Sequence, residues 1–267
     1  MQSVPLLYRF PVWITGGLLA LALVLVLATG NNIGKRIRVA KRHRAPLGSL
    51  ETMASGLLGL LLAFNFSIAQ TRFDTRQQLL VREADAIGST YLLCSILDEG
   101  DRRTCREQLR RYARVRVTSF EVYGGGSEEV DDRHLKEGER IQRELWSLAV
   151  RATRATPSER LTLLLSALDT MIEVDADRRA SMRILVPQAV SVAIVFVCLG
   201  WAMLLGYSSG LRGGRSPVGW VVVALLIGVI FGVALDFDRP RSGFITTSAA
   251  ERSMINLLEM MAEPPLD

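Results

Sequence analysis

The hydrophobic positions of the chain form four long apolar runs, and a mainly polar segment separates the second run from the third. The runs cover residues 12–28, 47–70, 184–207 and 217–235. A helix crosses the ~30 Å hydrocarbon core of a bilayer with roughly 17 to 25 residues. The pattern therefore predicts an all-α membrane protein with four transmembrane helices.

The polar segment has a helical pattern of its own, because its apolar residues recur at steps of three and four. No proline lies between Pro46 and Pro157, so the second span is expected to continue out of the membrane as one helix as far as Leu97. An acidic turn follows at Asp98–Asp101. Because helices joined by short connections pack antiparallel, the segment is expected to begin as a helical hairpin.

Two further helices are predicted at 102–122 and 128–153. The capping box Thr156–Glu159, with Pro157 at the first helical position, starts another helix, which is expected to run into the third span and to kink at Pro187. Together these helices form an antiparallel bundle inserted between spans two and three. The predicted organisation is residues 1–46 for the first transmembrane helix and a basic loop, 47–70 for the second transmembrane helix, 71–183 for the extramembrane bundle, 184–235 for the third and fourth transmembrane helices, and 236–267 for a C-terminal tail.

The positive charge of the chain is concentrated in the short loops between spans. The net charge is +5, but residues 71–183 carry 20 basic and 20 acidic side chains and are neutral. A nucleic-acid-binding domain has a basic face of its own, so nucleic acid is not expected as a partner. Segment 31–46 contains six basic side chains and no acid: Lys35, Arg36, Arg38, Lys41, Arg42 and Arg44.

Short basic loops remain in the cytoplasm. Loops 31–46 and 208–216 are therefore predicted to be cytoplasmic, and segment 71–183 and both termini extracytoplasmic, in a multi-pass protein of the bacterial inner membrane. The basic charge follows the first apolar run, whereas it precedes the apolar region of a signal peptide, so this run is expected to be a retained span.

The second span carries small residues at every fourth position, namely Ser55, Gly59, Ala63 and Ser67. Such a stripe lets helix backbones approach closely in lipid. Asn65, Phe66 and Gln70 lie on the same span. A polar amide at this depth needs a partner or water, so it either lines a pore or makes an interhelical hydrogen bond. Gly228 and Gly232 of the fourth span have the GxxxG spacing, which is consistent with packing inside one subunit or with a contact between subunits.

Cys94 and Cys105 lie symmetrically about the acidic turn, so two antiparallel helices would bring them together. In an extracytoplasmic bundle they could form a disulfide, or they could be two small apolar residues in the helix seam. Cys198 lies in the third span and is expected to pack there.

Recognisable catalytic and metal-binding motifs are not found in the sequence. His43 and His134 have no zinc-ligand spacing around them, and the formal G-x-S-x-G match at Gly206–Gly210 follows a membrane helix, with no histidine downstream. The triglycine Gly124–Gly126 lacks the Walker sequence of a phosphate loop. No cofactor, metal or enzymatic activity is predicted. A charged cluster after the fourth span could bind an ion or a headgroup, or pair locally: Asp236, Asp238, Arg239 and Arg241.

Two stretches of the sequence resemble the bestrophin-like domain family of bacterial membrane proteins. One is LLGLLLAFNFSIAQTRFDTRQQLLVREADAIGSTYL, which contains Glu83–Gly88, and the other is LDFDRPRSGFI, which contains Asp238–Pro240 and Ser242–Gly243. The resemblance implies four spans per subunit, with a helical region between spans two and three. Its analogy with bestrophins, which are oligomeric anion channels, implies a homo-oligomeric pore. Bestrophins keep the helical region in the cytoplasm, so the charge pattern here predicts the opposite orientation.

Two functions are compatible with these features. In the first, the chain forms a homo-oligomeric channel in the lipid bilayer, in which second spans surround the axis through Ser55, Gly59, Ala63 and Ser67. Asn65, Phe66 and Gln70 would lie near its narrow part, so that Asn65→Leu or Phe66→Ala alters conductance. Arg72 and Arg76 would form a basic vestibule that favours anions. In the second, the protein is a non-conducting scaffold or sensor, whose bundle binds a partner and whose basic loop holds anionic lipid.

Overall fold

The computed structural model describes residues 11–40, 48–123, 128–155, 158–183, 188–213, 217–238 and 248–262. Eight α-helices occupy these ranges, and a 3₁₀ turn at Cys94–Ile96 follows the second. The helices are α1 (Val12–Ala40), α2 (Gly48–Leu93), α3 (Glu99–Tyr123), α4 (Glu128–Ala155), α5 (Glu159–Arg183), α6 (Gln188–Arg212), α7 (Pro217–Asp238) and α8 (Ser248–Ala262).

Within the described ranges, four helices are long and apolar enough to cross a membrane, which confirms the predicted fold class. The candidate spans are Val12–Ile37, Gly48–Ile96, Ala189–Arg212 and Val218–Asp238. The chain divides into two compact units, one containing the membrane helices (1–73 and 185–245) and the other the bundle (74–184 and 246–267). Helix α2 contributes residues to both units.

In the membrane unit, α1 packs against both α6 and α7 through glycines. A Cβ atom at Gly228 would lie 2.6 Å from the carbonyl oxygen of Gly16, and one at Gly16 would lie 2.7 Å from that of Gly228. These distances are too short for any side chain. Of the two explanations for the GxxxG pair, the structure therefore shows packing inside one subunit, between α7 and α1.

Gly206 and Gly210 make a second close crossing, between α6 and α1. Cβ atoms there would lie 2.2 Å and 2.3 Å from the carbonyl oxygens of Leu27 and Asn31. This explains why the rejected nucleophile motif contains glycines at these positions: they permit backbone contact between two membrane helices.

The bundle unit is built from the second half of α2, with α3, α4 and α5. Its core contains Ile87, Leu109, Leu145 and Leu164, one from each helix. Helix α8 completes this unit, since Met254, Leu257 and Met261 are buried in the same core. The sequence placed α8 in a separate tail. The structure groups it with the bundle, because its apolar side is covered there.

Several helix boundaries differ from the predictions. Helix α1 continues to Ala40, so the first half of the predicted basic loop is helical. Helix α6 likewise continues to Arg212, and α3 begins at Glu99, inside the predicted turn. Helix α5 begins at Glu159, where the hydroxyl of Ser158 accepts a hydrogen bond from the amide of Arg160. Ser158 is thus the N-terminal cap; Thr156, Pro157 and Pro187 lie outside the described residues.

Candidate functional site

The small-residue stripe of α2 is exposed in the single chain. Ser55, Gly59, Ala63 and Ser67 all have exposed surfaces, and Gln70 continues the same side of the helix. Apart from the local helix itself, no described atom lies within 4 Å of the position where a Cβ of Gly59 would be. Gly206 and Gly228 differ from Gly59, because a neighbouring helix of the same chain occupies the space where their side chains would lie. Among the described residues, the stripe therefore forms an exposed face of the subunit.

Asn65 lies on a different side of α2 from this stripe. It is 9% exposed and shares its side with Leu58, Leu62 and Ala69, which are also buried. Successive steps of four, three and four residues place these four side chains on one face of a helix. The face packs into the subunit, since Leu58 and Leu62 belong to the core of the membrane unit. The structure thus does not group Asn65 with the other pore candidates.

Phe66 lies beside the stripe and is half-buried, with its ring edge-on to Phe237 of α7 at a centroid distance of 5.5 Å. Ser55 is also connected to a neighbouring helix, because its hydroxyl accepts a hydrogen bond of 2.9 Å from the indole of Trp201. At the start of α2, Glu51 pairs with Arg212 of α6 at 2.9 Å. These contacts fix the rotation of α2 and so determine which face remains exposed.

The end of α7 is clamped to α2. The ring of Phe237 also contacts Phe73, at a centroid distance of 5.2 Å, and Arg72 lies 3.8 Å from the buried carboxylate of Asp238. Asp236 is buried as well. The cluster predicted after the fourth span therefore begins inside α7. Arg239 and Arg241 lie outside the described residues.

The two arginines predicted to form a vestibule differ in exposure. The side chain of Arg72 is 27% exposed, whereas Arg76 is buried at 3%. Only Arg72 of this pair presents surface to solvent. The vestibule stays a prediction: in the single chain Arg76 is buried and Arg72 lies beside Asp238.

In the bundle unit, a disulfide joins Cys94 and Cys105. Their Cα atoms are 6.0 Å apart, and both residues are buried in the core. The 3₁₀ turn places Cys94 opposite the first turns of α3, which is why the two residues meet. Cys198 is buried in the membrane unit as a free thiol.

A network of buried charges crosses the bundle core. Glu83 of α2 is fully buried, and its two carboxylate oxygens pair with Arg116 at 2.7 Å and Arg178 at 2.9 Å. The carboxylate of Asp175 in α5 pairs with the guanidinium groups of Arg178 at 3.4 Å, Arg116 at 3.5 Å and Arg179 at 3.0 Å. Three helices thus meet through alternating charges.

Helix α4 joins this network through Gln142 and Glu139. The Gln142 amide donates hydrogen bonds of 2.9 Å to Asp175 and to the hydroxyl of Tyr112, and Glu139 pairs with Arg179. The network then contains three arginines and three carboxylates, so its positive and negative charges are equal in number. Every helix of the four-helix bundle contributes a charged or amide side chain.

Burial and charge shift the ionisation of these groups. Burial raises the pKa of the Tyr112 hydroxyl well above its ordinary value, and the charge of Glu83 raises it further. Burial also raises the pKa of Asp175, against the lowering effect of Arg116. Burial alone would lower the pKa of Arg116, but attraction to Glu83 raises it above its usual value. The guanidinium of Arg116 therefore stays charged at the centre of the network.

Among the described residues, no group of three or more histidine, cysteine or acidic side chains could hold a metal ion. The carboxylates of the core network are instead surrounded by guanidinium groups. Their arrangement is suited to holding helices together.

A family model for the Bestrophin-like domain matches residues 16–251, which is most of the chain. The chain belongs to the Bestrophin-like domain family. This confirms the resemblance seen in the sequence. No curated protein matches the sequence significantly.

The fold of this Bestrophin-like protein is similar to that of solved structures. The crystal structure of a bacterial bestrophin homologue from Klebsiella pneumoniae superimposes with a TM-score of 0.67 at 14% identity, covering 93% of this chain and 99% of that one. A single-substitution variant of a Klebsiella pneumoniae homologue gives 0.68 at 15% identity, with 92% and 98% covered. A variant described only as a membrane protein gives 0.70 at 14% identity, with 94% and 98% covered. At such identities the likeness establishes the fold.

Sequence reasoning missed the core charge network of this Bestrophin-like protein. It assigned no partner to Glu83, Arg116 or Arg178, which pair in the core. One signal was available: Glu83 and Arg116 interrupt the apolar sides of their helices, where Ala84, Ile87, Tyr112 and Ala113 are buried. A charge on a core-facing side requires a partner charge.

Proposed function

We propose that this protein forms a homo-oligomer in the bacterial inner membrane, and that the exposed small-residue face of α2 surrounds an axial ion pathway. The observation that carries the proposal is the uncovered stripe of Ser55, Gly59, Ala63 and Ser67. Membership in the Bestrophin-like domain family supports it, because the family is named by analogy with bestrophin channels.

The chemistry of the stripe favours contact with other helices or with water. Small residues let backbones approach in a membrane, whereas lipid is usually contacted by bulky apolar side chains. Helix α2 also has a bulky face, where Leu57, Leu60, Phe64 and Ile68 are exposed. The two faces are thus different, and the small one is the better candidate for the oligomer axis.

Gln70 is the polar residue that this face offers to an ion pathway. It is exposed and lies seven residues after Ala63, on the same side of the helix. A ring of Gln70 side chains, one from each subunit, would supply oxygen and amide dipoles to a passing ion. Arg72, two residues further on, lies on the other side of α2 beside Asp238 of α7, so it is not part of this face.

Asn65 and Phe66 have a different role in this proposal from the one expected from sequence. Asn65 is buried inside the subunit, and Phe66 contacts Phe237. Both position α2, so substitutions there act on the pathway through the rotation of the helix.

The disulfide supports an extracytoplasmic bundle. Disulfides persist in oxidising compartments such as the periplasm and are rare in the cytoplasm. The geometry that joins Cys94 to Cys105 therefore agrees with the orientation inferred from the basic loops.

The test is ion flux into liposomes that contain the purified oligomer, comparing Gly59→Leu with Gly17→Leu. Both glycines lie in membrane helices, and apart from the local helix no described atom lies within 4 Å of an added Cβ, so both positions have room for the start of a side chain. Only Gly59 lies on the α2 stripe. We expect Gly59→Leu to reduce flux at least about tenfold, because one leucine side chain from each subunit would narrow the pathway. Gly17→Leu is expected to leave the flux near the wild-type value.

Equal flux from both variants would contradict the placement of the pathway. Absence of flux for any common ion, from an oligomer shown to be intact, would instead support the non-conducting scaffold. A wild-type protein that is monomeric in mild detergent would rule out an axial pathway altogether.

A further inference from the structure

The outer sides of α3 and α5 carry opposite charge. Eight charged side chains of α3 line one shallow groove on the side of the helix away from its buried residues Leu109 and Tyr112. Six of them are basic and two are acidic. They are Glu99, Arg102, Arg103, Arg106, Glu107, Arg110, Arg111 and Arg114.

Helix α5 has the complementary face. Glu159, Asp169, Glu173 and Asp177 are all exposed, and their spacing places them on one side of the helix. The residues between them on that side are Thr162, Ser166 and Thr170. The structure records no ion pair for these four acids with any described residue. In contrast, the acids of α4 pair within the subunit, as Glu137 does with Arg140.

The two faces match in level along the bundle. Helix α3 is connected to α4 by residues 124–127, and α4 to α5 by residues 156–158, so α3 and α5 run in the same direction. Arg116 and Asp175 contact each other at 3.5 Å and mark one level. Arg114 and Glu173 each precede that pair by two residues and so lie at a common level, about 3 Å away along the axis.

Arg114 and Glu173 cannot pair inside one subunit, because both are exposed while the contact between their helices is in the core. Helix α4 packs against both α3 and α5, so their outer faces point to different sides of the subunit. A basic face on one side and an acidic face on another, at equal levels, is the pattern of a head-to-tail interface. Repeated rotation about an axis parallel to the helices brings equal levels together and closes a ring.

We propose that a second copy of this chain occupies the basic face of α3, and that it does so with the acidic face of its own α5, in a contact that brings Arg114 against Glu173. The inference rests on the proposed homo-oligomer and identifies the contact that orders its subunits. Arg110 is less available, because it donates hydrogen bonds to the carbonyl of Met261 and the hydroxyl of Tyr91. Complementary charge of this kind determines which surfaces meet and suppresses wrong pairings.

The first test is charge reversal, read as the fraction of intact oligomer by native mass spectrometry in mild detergent. Arg114→Glu alone or Glu173→Arg alone places like charges together and is expected to lower that fraction about tenfold. The double variant Arg114→Glu with Glu173→Arg restores opposite charges at every interface and is expected to recover the wild-type fraction. Lys136→Glu is the matched control, because Lys136 is an exposed residue of α4 that pairs only with Asp132 among the described residues.

Cross-linking gives an independent reading. The variant with Arg114→Cys and Glu173→Cys is expected to form a ladder of covalent oligomers on a non-reducing gel. Each single-cysteine variant is expected to run as a monomer on the same gel. A head-to-tail contact does not bring two identical positions together, so no disulfide can link the subunits.

An intact oligomer in both single charge variants, or dimers from one single-cysteine variant, would overturn the inference and leave the proposed function standing. A monomeric wild-type protein would overturn both. An oligomer that the single variants disrupt and the double variant does not rescue would show that a molecule other than a second copy binds one of the faces.

Discussion

At the scale of single residues, the bundle depends on charges that it buries. Taking a carboxylate and a guanidinium out of water costs several kcal/mol per ion, and only close pairing compensates for this. Glu83 is paired with two arginines, and each arginine also contacts Asp175. Removing one partner would leave uncompensated charge in the core, so each residue of the network is needed by the others.

Glu83→Gln tests this dependence. The substitution keeps the shape of the side chain but leaves Arg116 and Arg178 with less negative charge than they require. We expect it to destabilise the bundle by about 3 to 5 kcal/mol, measured as a lower midpoint of thermal unfolding by circular dichroism. Glu107→Gln, an exposed site on α3, should change stability by less than about 0.5 kcal/mol. Similar midpoints for the two variants would show that the network contributes little.

At the scale of elements, the membrane unit is held by backbone contact between helices. Helix α1 meets α6 at Gly206 and Gly210 and meets α7 at Gly228. Lipid provides no hydrophobic force between helices, so close packing of this kind is a main source of their association. Helix α2 instead packs into this unit through Leu58 and Leu62, which leaves its small-residue face outside.

Gly206→Ala should disrupt this packing. Its Cβ would lie 2.2 Å from the carbonyl oxygen of Leu27, so α1 and α6 would have to separate. We expect a loss of about 1 to 3 kcal/mol in the stability of the membrane unit. Gly200→Ala is a control in the same helix, because no atom lies within 4 Å of its added Cβ. The two variants are compared by their midpoints of thermal unfolding in detergent. An equal decrease for both would argue against a close contact between α1 and α6 at Gly206.

The elements were more predictable from sequence than their contacts. Apolar runs and helical periodicity specified four spans and a bundle, because each depends on residues that are close in the chain. The extension of α1 to Ala40 was missed, since a run of basic residues is equally compatible with a helix and a loop. Helical spacing alone puts Asn65 on a different face from the Gly59 stripe, but which of the two faces packs against the other spans depends on tertiary contacts. Pairing of Glu83 with Arg116 and Arg178 depends on three helices and is a tertiary property.

At the scale of the whole molecule, the subunit leaves two kinds of surface without cover. The membrane unit exposes the small-residue face of α2, and the bundle unit exposes a basic face on α3 and an acidic face on α5. The proposed assembly of identical subunits would account for all three surfaces. The charged faces would order the subunits around the ring, and the α2 faces would surround its axis.

The most direct test of an α2-lined pathway is the reaction of introduced cysteines with a membrane-impermeant thiol reagent in liposomes that contain the oligomer. Gln70→Cys lies on the small-residue face, and Ile68→Cys lies on the bulky apolar face two residues away. Both are compared in a background with Cys198→Ala. We predict that Gln70→Cys reacts and blocks ion flux, while Ile68→Cys, which contacts lipid, does not react. Reaction of Ile68→Cys with Gln70→Cys protected, or modification of Gln70→Cys without any change in flux, would contradict the account.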